Sequence, residues 1–244
     1  MTIYKTRRAA ESYGQAIGIL LLDAKAPFIP GDVANASTYS YPVIFKTVEG
    51  LSTSVCLNGA PEFNAKLAEG AKELEAAGVR GISSDCGFML QFQDAVREAV
   101  KVPVAMSSLL QIPMIAQTLD KSRSIGVITA DSTNLTPDFL TRGGISVPHK
   151  IVIRGMQDEP EFKTAVLEEK GTLDSDLITE EAIRIAKDMV KKDPTMGAIL
   201  LECSMLPPYA KAVQAAVELP VYDFVSMIDY MESGLHQRAY SGQY

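Results

Sequence analysis

Two cysteines in equivalent surroundings are the residues of this 244-residue chain best suited to chemistry. Cys86 lies in the stretch GISSDCGFML (81–90) and Cys203 in AILLECSMLP (198–207), each preceded by apolar or small residues and an acid. The thiols are 117 positions apart, and matching residues continue at that offset. They are Ala95, Val96, Ala99, Val100, Pro103 and Val104 against Ala212, Val213, Ala216, Val217, Pro220 and Val221. We therefore interpret the chain as two copies of one α/β half, each presenting a thiol.

In both copies the thiol follows a predicted strand and precedes a predicted helix. Two lobes related by a pseudo-twofold axis would bring these strand ends together across a cleft, with one thiol on either side of a bound molecule. Such a pair suits proton transfer at carbon, where one thiolate removes a proton and the opposite thiol donates one. A helix N-terminus lowers a cysteine pKa towards the working range. This chemistry requires no metal or organic cofactor, and we expect none.

The strands and helices that position the thiols are predicted from apolar runs and from the spacing of apolar residues. Continuous apolar runs such as 16–22 are typical of parallel strands that are covered on both faces. We predict further strands at 79–84, 102–106, 124–129, 147–153, 197–201 and 219–222. Helices are predicted at 61–77, 90–100, 109–119, from the cluster 133–137 to Gly143, at 179–191, after Pro207 and at 224–240, with a surface helix and loop at 158–175. The segments 41–48 and 51–57 could both be extended.

Alternating strands and helices with short joints predict an α/β fold of two pseudo-symmetric, doubly wound lobes. Each lobe has a parallel four-stranded sheet, and the active site lies in the cleft between them. Because the last helix mirrors 107–119, we expect it to pack back on the first lobe. The predicted domains are therefore 1–107 plus 223–244 for lobe 1 and 108–222 for lobe 2.

Composition favours a small-molecule partner. The net charge of −7 and scattered basic residues argue against nucleic acid. Three cysteines without a C-x-x-C spacing, and two distant histidines, His149 and His236, indicate neither a disulfide framework nor a metal site. We expect surface roles for both histidines, and a buried structural role for Cys56.

No apolar run approaches the roughly 18 to 20 residues that a membrane helix needs, so we expect no membrane association. The N-terminus resembles a weak export signal, but 17–20 match 125–128 at an offset of 108 and are better explained as a first strand. We predict a cytoplasmic protein.

Side chains near the strand ends and in the long loop 25–42 are candidates for substrate binding. Asp85 and Glu202 could tune the thiols or cap the following helices, although a carboxylate beside a thiol raises the thiol pKa. Serines at strand ends bind carboxylates or cap helices, and Asp32, Asn35 and Tyr41 reach the cleft or shape turns. The predicted binding residues are Ser84, Asp85, Gly87, Phe88, Ser107, Thr129, Glu202, Ser204, Met205, Asn35 and Tyr41.

The repeated acid-Cys-small pattern, with the strand 125–129 opening the second half, resembles the aspartate/glutamate racemase superfamily over roughly residues 14–235. That superfamily includes hydantoin racemases, maleate isomerases and arylmalonate decarboxylases. The resemblance implies two α/β lobes, no cofactor, Cys86 and Cys203 as acid and base, and a homodimer or higher homo-oligomer. Amino-acid racemases usually follow their cysteines with Asn-Thr and Thr. Here Gly87-Phe88 and Ser204-Met205 favour a more apolar substrate group.

Three hypotheses follow for the activity. The first is a cofactor-independent racemase or epimerase in amino acid metabolism, inverting the α-carbon of a small amino acid or related carboxylate through Cys86 and Cys203. The second is an isomerase, lyase or decarboxylase of the same superfamily that uses one cysteine as covalent nucleophile or proton donor. The decarboxylases work with one thiol, and this chain has both. The third is a two-lobed small-molecule binding protein.

Overall fold

The computed structural model describes residues 3–7 and 10–243, which contain two parallel four-stranded sheets of the same topology. The first has the order β2-β1-β3-β4, with β1 Ile17–Leu21, β2 Val43–Thr47, β3 Gly81–Ser84 and β4 Val104–Ala105. The second has the order β6-β5-β7-β8, with β5 Ser124–Thr129, β6 Ile151–Gly155, β7 Met196–Leu201 and β8 Val221–Tyr222. The predicted α/β fold with two parallel four-stranded sheets is confirmed.

Helices connect and flank these strands. They are α1 Thr53–Leu57, α2 Asn64–Ala76, α3 Gln93–Ala99, α4 Ile112–Thr118, α5 Pro137–Arg142, α6 Pro160–Phe162, α7 Ser175–Lys192, α8 Ala210–Val217 and α9 Phe224–Leu235. Short 3₁₀ turns occur at Ala36–Thr38, Pro61–Phe63, Gly87–Phe92, Ser108–Gln111 and Pro207–Tyr209, and a π-helical turn, Lys163–Leu167, extends α6. None of the helices in the described ranges is long and apolar enough to cross a membrane.

The buried strands explain why both thiols lie at the same edge of their sheets. Every residue of β5 and of β7 is buried, as expected for strands with helices on both faces. In each sheet the cysteine-bearing strand pairs with the first strand of its lobe, Leu20 with Ser84 and Ile128 with Leu201. The residues that follow β3 and β7 therefore emerge beside the carboxyl ends of β1 and β5.

The two lobes pack against each other through a common hydrophobic cluster. A single cluster joins Leu20 and Ile82 of the first sheet to Ile125 and Leu200 of the second. The hydroxyl of Ser204, next to Cys203, also donates to the carbonyl of Asp85, next to Cys86. The strand ends that carry the thiols are thus fixed relative to each other by packing and by this hydrogen bond.

The C-terminal helix packs on the first sheet. Phe224, Met227 and Ile228 of α9 are buried in one cluster with Ile17 and Ile19 of β1. This is the expected placement of the last helix, whereas the domain boundaries at 107 and 222 stay a prediction.

Several element predictions need correction. The segment 51–57 is not extended: the Ser52 hydroxyl accepts the Val55 N–H and begins α1, which leaves Val43–Thr47 as the fourth strand of the first sheet. The strand predicted at 147–153 lies at Ile151–Gly155, the helix predicted from residue 90 begins as the 3₁₀ turn Gly87–Phe92, and the last helix ends at Leu235 rather than at 240.

Candidate active site

A small cavity lies between the carboxyl edges of the two sheets and is lined by both cysteine stretches. Its volume is about 40 Å³, which suits a small ligand or a few waters. Eight of its lining residues come from the repeated pattern: Asp85, Cys86, Gly87, Phe88, Glu202, Cys203, Ser204 and Met205. The structure therefore brings the two thiols to one site.

The same backbone turn presents each thiol. The Cys86 carbonyl accepts the Met89 N–H at 3.0 Å, and the Cys203 carbonyl accepts the Leu206 N–H at 3.0 Å. Cys86 has extended backbone angles, φ −152° and ψ 130°, immediately before the 3₁₀ turn Gly87–Phe92. The strand end followed by a tight turn thus points both thiols towards the interlobe cavity.

The acidic residue before each cysteine bonds to the end of the neighbouring strand. Asp85 Oδ1 accepts the Leu22 N–H at 2.9 Å. Glu202 Oε2 accepts the Thr129 hydroxyl at 2.7 Å, and the Glu202 carboxyl also accepts the Ala130 N–H. Leu22 and Ala130 occupy the same place in the two copies, so the internal symmetry extends to these bonds.

Both acids are therefore part of the site and do not cap the following helices. Burial raises the pKa of Asp85 and that of Glu202 to about 7 each. Glu202 Oε1 is buried without a hydrogen-bond partner in the described part of the chain. A Cβ at Gly87 would lie 1.9 Å from this oxygen, so only glycine fits there.

The two thiols have different neighbours. A hydrogen bond with the Cys56 thiol raises the pKa of Cys86, and burial and the Glu202 and Asp85 carboxyls add to this effect. Burial and Glu202 raise the pKa of Cys203, whereas the Met205 N–H donates to that thiol and lowers it. Cys56 is fully buried, as expected, and it reaches the candidate site only through its interaction with the Cys86 thiol.

Asp32 adds a third buried carboxyl near Cys203. Its Oδ1 accepts the Ala34 N–H at 2.7 Å, and its Oδ2 is buried without a partner among the described residues. Burial raises the pKa of Asp32 to about 8, and its charge raises that of Cys203. The Val33 N–H donates to the Ser204 carbonyl at 3.4 Å, which holds this loop against the second cysteine stretch.

Five predicted binding residues do not line the cavity. The Ser84 hydroxyl donates to the Met106 carbonyl at 2.5 Å, and Ser107 caps the next turn through the Leu109 N–H. Thr129 reaches the site only through Glu202. The Asn35 amide donates to the Phe28 carbonyl at 2.9 Å, and the Tyr41 hydroxyl donates to Asp229 at 2.6 Å. Substrate binding by these five side chains stays a prediction, and none of them contacts the cavity.

Other lining residues were not singled out from the sequence, although Ala26 and Phe28 lie in the loop 25–42 that was predicted to contact the substrate. These other lining residues are Leu22, Ala24, Ala26, Phe28, Thr53, Leu57, Ala130 and Val166. Leu22 and Ala130 directly follow β1 and β5, so the internal repeat could have predicted that both lie at the cavity. His149 is also placed differently from expectation, since it is buried rather than on the surface. The described residues contain no cluster of three or more histidine, cysteine or acidic side chains that could hold a metal.

The fold, the paired thiols and the sequence agree on one class of protein. A family profile described as Asp/Glu/Hydantoin racemase matches residues 35–228, and the chain belongs to that family. A glutamate racemase from Bacillus anthracis has the same fold, with a TM-score of 0.62 and 12% identity over 90% of this chain and 80% of that one. An unliganded arylmalonate decarboxylase gives a TM-score of 0.59 and 16% identity over 92% and 94%. These likenesses concern the fold alone.

Curated relatives are more similar in sequence. Dimethylsulfoniopropionate lyase 7 of Emiliania huxleyi is 34% identical over 221 residues, 86% of this chain and 64% of that protein. A dimethylsulfoniopropionate lyase of Durusdinium sp. clade D is 33% identical over 226 residues, 90% of this chain and 74% of that protein. The chain thus spans less than two thirds of the length of the Emiliania relative.

These relatives overturn the first hypothesis. The expected racemase or epimerase activity, and with it the assignment as an isomerase, is wrong, because the relatives at 33–34% identity are lyases. The relatives are named as enzymes, which argues against the two-lobed binding protein. The second hypothesis, another reaction on the same scaffold, agrees better with the relatives. The cytoplasmic location and the homo-oligomer stay predictions.

Proposed function

We propose that this protein is a lyase that releases dimethyl sulfide from dimethylsulfoniopropionate in the cavity between its lobes. The observation that carries the proposal is the identity of 33–34%, along 86–90% of this chain, to lyases named for that substrate. The two thiols that line one cavity are the groups that suit the chemistry. Since the chain spans only part of those relatives, the substrate has to be tested directly.

The reaction is an elimination across two carbons. Dimethylsulfoniopropionate carries a carboxylate at one end and a positively charged sulfur at the other. A base removes a proton from the carbon next to the carboxylate, and the electron pair of that C–H bond forms a C=C bond. The C–S bond breaks and its electron pair leaves with sulfur, giving neutral dimethyl sulfide and acrylate. Neither oxidation nor water is required, and the proton on the base returns to solvent.

We assign the base to Cys203. A general base acts through its deprotonated form. Burial and Glu202 raise the pKa of both thiols, but at Cys203 the Met205 N–H partly opposes this rise. Cys86 instead hydrogen-bonds with Cys56, which favours the neutral thiol. A neutral Cys86 on the opposite side of the cavity can donate its S–H to the substrate carboxylate, where negative charge builds up as the proton leaves.

The direct test is turnover by the purified protein. We expect dimethyl sulfide in the headspace, by gas chromatography, and an equal amount of acrylate in solution, by NMR. Cys203→Ser should lower the formation of both products by about 10³-fold while circular dichroism shows an unchanged fold. Met114→Leu, which replaces an exposed sulfur-containing side chain outside the cavity, is the control and should retain activity.

Two results would contradict the proposal. Failure of the folded wild-type protein to release dimethyl sulfide would reject dimethylsulfoniopropionate as substrate. Full activity of Cys203→Ser would reject this thiol as the base.

A further inference from the structure

We propose that Glu202, assisted by Asp85, forms a cation subsite that binds the onium group of the substrate, so that the cavity selects onium carboxylates over neutral molecules of the same shape. The inference rests on the proposed function for the identity of the reacting substrate. It adds which side chains recognise the positive charge and how that recognition selects the substrate class.

The first observation is the unsatisfied oxygen of Glu202. This residue is 1% exposed, and its Oε1 has no hydrogen-bond partner in the part of the chain that the structure describes. The other oxygen accepts the Thr129 hydroxyl at 2.7 Å, which fixes the orientation of the carboxyl. Leaving a buried carboxyl oxygen without a partner is costly. A ligand that supplies positive charge at the cavity would compensate for that cost.

The second observation is the charge of the lining. Glu202 and Asp85 both line the cavity, and none of its lining residues is lysine or arginine. A molecule with two negative groups would be repelled by this arrangement. A zwitterion can place its positive end near the carboxyls and its single carboxylate away from them.

The third observation is the apolar wall beside the carboxyls. Phe28, Phe88 and Met205 line the same cavity, and Phe88 is held by a tilted ring contact with Phe139 of the second lobe, 5.4 Å between centroids. A methylated onium group spreads its charge over methyl groups and binds favourably to aromatic faces. The cavity therefore combines a surface for methyl groups with a carboxyl for their charge.

Binding of the cation has a consequence for the thiols. The Glu202 carboxyl raises the pKa of both Cys86 and Cys203. A cation placed between Glu202 and the thiols opposes this effect, since positive charge favours a thiolate. The substrate group that leaves as dimethyl sulfide would thereby assist formation of the base that starts its own elimination.

The experiment uses a matched pair of ligands that cannot eliminate dimethyl sulfide. 3-(Trimethylammonio)propionate and 4,4-dimethylpentanoate have the same shape and carboxylate, and differ only in a charged nitrogen in place of carbon. Dissociation constants from isothermal titration calorimetry should favour the ammonium compound by about tenfold in the wild-type protein, as expected for a desolvated cation next to a carboxylate and aromatic rings. Glu202→Gln keeps the shape and should reduce this ratio to about one to three. Asp85→Asn should reduce it less.

Asp138→Asn is the control, because it removes an exposed carboxylate that pairs with Arg142 outside the cavity. It should leave the ratio unchanged. Equal affinity of the wild-type protein for the two ligands would overturn the subsite, whether or not dimethyl sulfide is formed. A tenfold ratio in a protein that releases no dimethyl sulfide would keep the subsite and reject the proposed substrate. The two ideas can therefore fail separately, and the wild-type ratio stands even if a variant does not fold.

Discussion

Cys86 and Cys203 leave their strands in the same way, through a turn in which the cysteine carbonyl accepts the N–H three residues later. Each is preceded by a buried acid that bonds to the end of the neighbouring strand. Their side chains have different neighbours. The Cys86 thiol hydrogen-bonds with the Cys56 thiol, whereas the Cys203 thiol accepts the Met205 N–H and has its pKa raised by Asp32. The duplicated backbone is conserved within the chain, and the chemical environment is not.

This difference fits the kind of reaction that we propose. A racemase works in both directions across a stereocentre, so its two bases need comparable environments. An elimination removes one proton and needs one base, which leaves the second thiol free for another role. The unequal surroundings of Cys86 and Cys203 agree with the lyase relatives and with the failure of the racemase prediction.

The largest effect should come from exchanging the thiols for hydroxyls one at a time. Cys203→Ser should lower kcat for dimethyl sulfide release by about 10³-fold, in the range of general-base contributions. Cys86→Ser should cost about tenfold, because a serine hydroxyl can still donate a hydrogen bond to the carboxylate. Initial rates from the same headspace assay measure both. Equal losses of kcat in the two variants would contradict the different roles that we assign to the two thiols.

A smaller effect should follow from exchanging the residues after the thiols. Gly87→Ser gives Cys86 the following residue that Cys203 has, but the Cβ of the new serine would collide with the Glu202 carboxyl. We expect a loss of about 2 kcal/mol in the free energy of unfolding, as for overpacked cores. The reverse change, Ser204→Gly, removes the hydroxyl that donates to the Asp85 carbonyl and should cost about 1 kcal/mol. Urea denaturation compares them, and a larger loss for Ser204→Gly would contradict this account.

The acid of the second lobe should give stability a defined pH dependence. Because folding raises the pKa of Glu202 from 4.5 to about 7, the protonated carboxyl stabilises the folded state fully below pH 4.5. That contribution is lost progressively as the pH rises to 7 and is constant above it. Glu202→Gln should match the wild-type protein near pH 4.5 and be more stable at pH 8 by about 3 kcal/mol, at about 1.4 kcal/mol for each pKa unit between 4.5 and 7.

Urea denaturation at the two pH values measures this difference. Asp32 and Asp85, whose pKa values are also raised, should preserve part of the pH dependence in the variant. A variant whose stability differs from the wild-type protein equally at both pH values would show that Glu202 does not titrate in this window.

The sequence was sufficient to predict the elements that repeat. It was insufficient where tertiary contacts determine whether a segment is a helix or a strand, or where a loop lies. The buried strand β7 is apolar throughout and β5 is apolar between Ser124 and Thr129, so both carry their own signal. The five residues of α1 fit a strand equally well, and only the Ser52 cap distinguishes them. Phe28 reaches the cavity because its loop folds back on the second cysteine stretch, and the sequence of the loop does not encode that contact locally.

The reaction was harder to predict than the site. Two thiols facing one cavity serve proton removal in a racemase and in a lyase alike, so the residues that carry the chemistry do not determine its outcome. The adjoining residues were more informative. Gly87 and Phe88 already indicated an apolar substrate group, and the structure adds that Gly87 admits the Glu202 carboxyl to the cavity.

The smallest expected effect concerns the thiol that has no counterpart in the second lobe. Cys56→Ser keeps nearly the same volume in the core, but it replaces the thiol that hydrogen-bonds with Cys86 and raises its pKa. Because the thiolate is the reactive form, we expect iodoacetamide to alkylate Cys86 about twofold to fivefold faster at pH 8. Peptide mass spectrometry measures Cys86 and Cys203 in the same sample, and the Cys203 rate should not change. An unchanged Cys86 rate would mean that Cys56 is only a core residue, and that the asymmetry of the thiols arises on the Cys203 side alone.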